Sequence, residues 1–150
     1  MAHTDGGMMS TEKCVFISLD NGAKMPSRAY TTDAGADLYA CESCVVPAHG
    51  YTALDIGVHI DIPHGYAGQI MSKSGLNFRH NIITTGLIDE GYSESICVKL
   101  YNLGDDDYEI KKGDKVAQLV LVKVIYPEFV MVEEVNGGER GGNGFGSTGR

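Results

Sequence analysis

A chain of 150 residues with a formal net charge of -8 and no tryptophan is sized for one domain, able to bury about two-thirds of its unfolded surface. Its acidity argues against nucleic acid or an anionic membrane as partner, because neither is drawn to the overall field, yet it leaves room for a small anionic substrate where a few cations and a metal ion gather. No apolar run approaches the ~20 residues of a membrane span, and no basic-then-apolar signal opens the sequence.

Residues 1–12 read as a disordered leader, with Met8 or Met9 as the natural start, ahead of a β domain over 13–132 and a flexible glycine-rich arm over 133–150. Cys14 to Leu19 makes a first strand, closed by the turn Asp20-Asn-Gly22. Cys41-Glu-Ser-Cys44 has the spacing of half a zinc site, with His49 following, but no second pair completes four ligands. Two ordinary reduced cysteines at a strand start are the better reading, and they suit a reducing, cytoplasmic compartment. From Leu54 to Ile62 the even positions are apolar and the odd ones polar or small, a period-two strand with one buried face.

Ser72-Lys-Ser-Gly-Leu76 predicts the one short helical segment, running to His80 with Ser74 as its cap. Ser95 to Asn102 alternates again, with Ile96, Val98 and Leu100 on one side. Val116 to Tyr126, broken only by Gln118 and Lys123, predicts a strand buried on both faces. Turn signals at Pro47–Gly50, Pro63–Gly65, Leu103–Asp107 and Lys111–Asp114 keep the rhythm of a β-sandwich or barrel. The fold class is all-β, without internal repeat or interdomain linker.

Seven of the thirteen residues from Gly137 to Gly149 are glycine and the only ring among them is Phe145. Such a segment has little to bury in return for ordering. By composition it is equally a disordered tail, but it carries a cation, a flat ring and a run of hydrogen-bond donors suited to a nucleotide polyphosphate. There is no phosphate-cradling Gly-x-x-x-x-Gly-Lys-Ser/Thr loop, no Rossmann glycine pattern and no Gly-x-Ser-x-Gly turn. Instead five polar clusters adjoin strand ends: Ala34–Tyr39, Ser72–Leu76, Gly86–Tyr92, Gly113–Leu119 and Arg140–Gly149.

In this order and at these spacings, from about Ala23 to the C-terminus, the clusters resemble the five motifs of the homotrimeric deoxyuridine triphosphatases (dUTP pyrophosphatases). The resemblance implies a distorted β-barrel or jelly-roll subunit, a homotrimer whose active sites are shared between subunits, and hydrolysis of dUTP to dUMP and pyrophosphate with Mg²⁺. Such an enzyme keeps uracil out of DNA and supplies the precursor of thymidylate. Asp89 then matches the aspartate that activates a water for attack at the α-phosphorus; read alone it is an ordinary turn aspartate, and Glu90 a solvated neighbour. Tyr92 matches the tyrosine that packs under deoxyribose and leaves no room for a 2′-hydroxyl.

The segment Ile82 to Tyr92, with Ile83 and Gly86, would form the hairpin that admits uracil. Ile83 stands where the family commonly has a base-reading asparagine. Ser74 and Gly75 match phosphate-binding residues, and Lys73 takes the place of a frequent arginine, keeping the charge without the bidentate fork. Asp37 matches an aspartate that reaches the metal only through water, in keeping with the water shell of Mg²⁺. Gln118 contacts substrate or satisfies its own strand, both readings being open. In the arm, Arg140 would reach the γ-phosphate, Phe145 stack on uracil, and Gly146, Ser147 and Thr148 donate to phosphate oxygens. After Tyr92 the family's usual Tyr-x-Gly-Glu is replaced by Tyr92-Ser-Glu-Ser95. Alternatives on the same fold are a dCTP deaminase, expected to carry a glutamate base near the hairpin, and a regulatory protein-binding module.

Overall fold

Period-two patterning resolves into short antiparallel strands in the computed structural model, which describes residues 14–146, 148 and 149. The expected leader lies outside the described residues. In chain order the strands are β1 Phe16–Leu19, β2 Ala36–Tyr39, β3 Cys44–Val46, β4 Tyr51–Asp55, β5 Val58–Asp61, β6 Tyr66–Met71, β7 Ile82–Ile83, β8 Thr85–Ile88, β9 Cys97–Asn102, β10 Tyr108–Ile110 and β11 Lys115–Lys123. A single α-helix, α1 Ser74–His80, lies between β6 and β7, and a short 3-10 turn spans Gly138–Arg140. The strands form four ladders: β2-β11-β6-β8, β4-β9-β7, β1-β5 and β10-β3. The all-β expectation holds.

The alternation from Leu54 to Ile62 survives a break in the strand. Gly57, at φ +72°, separates β4 from β5, and a Cβ there would also press within 2.8 Å of Ala23. Leu54, Ile56, Val58, Ile60 and Ile62 nevertheless all enter the core, where they meet Ile96, Val98 and Leu100 of the β9 region. Asn102, at the end of that same face, is buried because its amide donates to Val46 O (3.0 Å) and Asp106 O (2.8 Å).

Three expectations are corrected. Lys73, with extended backbone, is the N-cap of α1, and Ser74 is its first helical residue, with no side-chain cap. β7 and β8 do not pair with each other: β7 joins β9 while β8 joins β6, so the segment 82–92 crosses between sheets at buried Thr84 instead of folding as a hairpin. The apolar run after Val116 is a strand only to Lys123, and its burial fades along β11. Beyond it, Ile125 is 84% exposed, Phe129 94% and Met131 95%.

Candidate functional site

One row of the four-stranded sheet places Asp37 of β2, Gln118 of β11, Met71 of β6 and Thr85 of β8 side by side. Around its β2 end the polar residues converge. Asp37 is buried, yet both its oxygens meet cations: Lys73 Nζ lies 2.5 Å from Oδ1 and Lys115 Nζ 3.1 Å from Oδ2. Burial alone would raise the carboxyl, but hydrogen bonds and charge from the two lysines outweigh it and hold Asp37 below the usual aspartate value.

Lys115 belongs to the fourth polar cluster but carries no role in the sequence reading. Three residues from Gln118, it belongs on the opposite face of a regular strand. A register shift between Lys115 and Ala117 sets it opposite Tyr39 and so on the same face as Asp37. Strand alternation could not have revealed this. Gln118, half-buried, donates from Nε2 to Ser72 O at 2.9 Å. The rest of its side chain lies over Gly35, where a Cβ would come within 2.2 Å of Oε1 and 3.0 Å of Gln118 Cβ. The Ser72 hydroxyl donates to Thr84 O (3.0 Å) and accepts from Thr84 N–H (2.9 Å), tying the entry to α1 to the β7–β8 crossing. Ser74 and Gly75 open the exposed first turn of α1, and a Cβ at Gly75 would meet nothing within 4 Å.

At the other end of β8, Gly86, Asp89 and Tyr92 line one cleft of ≈ 240 Å³ with Ile70, Ile96 and Cys97. Gly86 sits against Ile70, where a Cβ would meet side-chain carbons at 3.3 Å. Asp89 is exposed and its backbone carbonyl accepts the Tyr92 N–H at 3.2 Å, while Tyr92 Oη donates to Ser95 O at 2.9 Å. Ile83 is half-buried in β7, opposite Tyr101, and does not line this cleft.

Glu90 is more than the solvated neighbour expected of it. It accepts from Tyr126 Oη at 2.6 Å and faces His64 Nδ1 at 3.0 Å, with the His64 and Tyr126 rings stacked at 5.7 Å. The Tyr126 hydrogen bond, then His64, lowers the Glu90 carboxyl, and Glu90 in turn raises the Tyr126 phenol. Sequence separation hid this knot, which fixes the turn after Asp89 to the start of the C-terminal segment.

The two centres are not adjacent within one chain. Lys73–Gly75 follow β6, the strand next to β8, but on ideal strand spacing they begin about five residues, roughly 16 Å, along it from Asp89, and Asp37 is three strands across as well, about 14 Å. Arg140 ends the 3-10 turn, with Nη1 3.4 Å from Gly144 O, and the Phe145 ring is fully exposed. Gly146 starts a turn closed by Gly149 N–H at 3.0 Å, with Thr148 exposed inside it, while Ser147 lies outside the described residues.

Fold and site define an all-β protein with two unlike polar centres, one cationic and suited to phosphate oxygens, the other a cleft holding a carboxylate beside an aromatic ring. The family model described as dUTPase matches residues 21–149. The probable deoxyuridine 5′-triphosphate nucleotidohydrolase of Schizosaccharomyces pombe is 40% identical over 132 residues, covering 87% of this chain and 94% of that protein. Among solved structures, the Staphylococcus bacteriophage 80alpha dUTPase with dUPNHPP superposes with a TM-score of 0.82 at 32% identity, over 91% of this chain and 99% of that one. A variant dUTPase of S. aureus phage phi11, solved with a structural Mg(II) ion, gives a TM-score of 0.76 at 28% identity, over 83% and 99%. This chain belongs to the dUTPase family.

Proposed function

We propose that the enzyme hydrolyses dUTP to dUMP and pyrophosphate, which removes dUTP as a source of uracil in DNA and supplies dUMP for thymidylate synthesis. The observation that carries this reading is the cleft shared by Gly86, Asp89 and Tyr92 in a chain of this family. Asp89 orients a water and takes its proton as the oxygen attacks the α-phosphorus. The bond from that phosphorus to the bridging oxygen breaks, and pyrophosphate leaves. Tyr92 packs under the deoxyribose, where a 2′-hydroxyl has neither room nor partner. Uracil enters the cleft beside Gly86 and is read by backbone groups.

The triphosphate lies on the cationic centre, with Lys73, Ser74 and Gly75 as its contacts. Gln118 supports this centre through Ser72 O, the residue before Lys73. Mg²⁺ neutralises phosphate charge when bound with the substrate. Asp37 fits an indirect role, because both its oxygens already face ammonium groups; a cation near it is better held by triphosphate and water than by direct ligation. Arg140 reaches the γ-phosphate, Phe145 stacks on the base, and Gly146, Ser147 and Thr148 donate to phosphate oxygens as the arm over 133–150 closes.

Membership of the family carries the reading of a homotrimer, and two features support assembly of more than one subunit. The carboxylate cleft and the cationic centre of one chain are too far apart to flank one triphosphate, so each site needs two subunits. The exposed apolar residues after Lys123 supply the surface for assembly. Four unpaired cysteines favour a reducing compartment such as the cytoplasm. Incubation with dUTP, dCTP, dTTP or UTP and Mg²⁺, with products resolved by chromatography, tests the activity. Only dUTP is expected to give its monophosphate and pyrophosphate, with Asp89→Asn slower by roughly three orders of magnitude or more. Ammonia from dCTP, or full turnover by Asp89→Asn, would overturn the assignment.

A further inference from the structure

Tyr92 rides on a loop, 89–95, that is exposed along most of its length; its own hydrogen bonds, to Asp89 O and Ser95 O, stay within that loop, so the loop itself must be held to the sheet. Glu90 is fixed by His64 and Tyr126, and the Ser95 hydroxyl donates to Asp55, which leaves the middle of the loop to a single side chain of β5. His59 Nδ1 lies 2.8 Å from Ser93 O, one residue after Tyr92, and Nε2 lies 2.9 Å from Asp20 Oδ1. The ring is only 27% exposed and spans from the loop to the turn after β1. A neutral imidazole has one N–H, so it can donate to only one of these acceptors, whereas the imidazolium donates to both.

We propose that His59 is a positioning residue: as an imidazolium it latches the Tyr92 loop to the sheet through Ser93 O and thereby sharpens discrimination of deoxyribose from ribose. This rests on the reading that Tyr92 packs under the sugar. The charged groups facing His59 are acids from three directions: Asp20 after β1, Asp55 at the end of β4 and Glu94 in the loop. Its hydrogen bond to Ser93, then that to Asp20, raises its pKa above 6.5 against a smaller opposing effect of burial. A raised histidine pKa puts the latch fully in place below the unfolded value; as pH rises through the folded one, the neutral ring keeps its single N–H on Nε2, facing the charged Asp20 carboxylate, and the Ser93 contact is released.

The experiment compares kcat/KM for dUTP with that for UTP at each pH from about 6 to about 9, in wild type, His59→Ala, His59→Asn and Tyr92→Ala. Because both substrates share Mg²⁺, Asp89 and the triphosphate, their common pH dependence cancels in the ratio. The wild-type ratio is expected to fall with rising pH. His59→Ala is expected to lower it about tenfold at the acid end and flatten it. His59→Asn, whose amide N–H takes the place of Nδ1–H without titrating, keeps a higher, pH-independent ratio. Amide exchange of residues 91–95 in the substrate-free enzyme provides a second reading, faster in His59→Ala than in His59→Asn.

A His59→Ala enzyme with the wild-type ratio and pH profile, even if less stable, overturns the proposal. If Tyr92→Ala leaves the ratio untouched, the reading of Tyr92 has failed. The latch is then judged by exchange alone: faster exchange in His59→Ala supports it, and unchanged exchange overturns it.

Discussion

Asp37 illustrates how a single carboxylate can organise a cationic site. Two lysines, 26% and 48% exposed, converge on its buried oxygens, and without it their charges would repel each other at close range. Asp37→Asn keeps the volume and removes the anion. It is expected to cost roughly 1–3 kcal/mol near neutral pH, less than a fully buried pair because both lysines reach water. The depressed Asp37 pKa means that this stability is present above the ordinary value of 3.8 and is lost as pH falls through the folded value. Urea unfolding of wild type and variant between about pH 3 and 7 should therefore show a gap that closes in acid. A gap independent of pH would show that the carboxylate charge is not its source. With Lys73 no longer oriented, KM for dUTP should also rise, by roughly tenfold.

At the scale of elements, β11 decides how the cationic centre is built, through its register shift at Lys115 and the Gln118 side chain laid over Gly35. Gly35→Ala puts a Cβ where Gln118 Oε1 and Cβ already are, at 2.2 and 3.0 Å, so rotation of the amide alone does not relieve it. The substitution should cost about 1–3 kcal/mol. It should also break the Gln118–Ser72 contact, loosening Lys73 and Ser74 and raising KM for dUTP more than it lowers kcat. Steady-state kinetics with thermal unfolding check this, and a stable Gly35→Ala enzyme with unchanged KM would refute it. The strands and the core side of Leu54–Ile62 were legible in the sequence because alternation is local. The polar clusters were legible because their residue types and spacings resemble the family's motifs. Lys115 was hidden by a bulge that reverses its face, and Glu90 and His59 because their partners lie 26 to 39 residues away. The β7–β8 crossing was hidden because two successive short strands look like a hairpin until their partners are known.

At the scale of the whole molecule, the chain after Lys123 divides into parts with different physics. Ile125, Phe129, Val130, Met131 and Val135 expose large apolar side chains along a segment paired with no strand among the described residues. Covering a Val, Ile, Phe or Met side chain is worth about 1.5–3 kcal/mol each, so a neighbouring subunit that covers several gains enough to hold an oligomer together. From Gly137 onward the composition reverses: glycine dominates, and Phe145 is the one large apolar side chain. If the first part assembles the enzyme and the second closes it, truncation separates the two functions. Deletion of residues 137–150 should leave the oligomer and its thermal unfolding nearly unchanged, while kcat/KM for dUTP falls by about two orders of magnitude or more as the arm's contacts and water exclusion are lost. The double substitution Phe129→Asp with Met131→Asp, in the full chain, should instead shift the enzyme to monomers by sedimentation, and activity should fall with assembly if each site draws on two subunits. A truncated enzyme with full turnover would remove the arm from the mechanism, and an active monomer would remove the shared site.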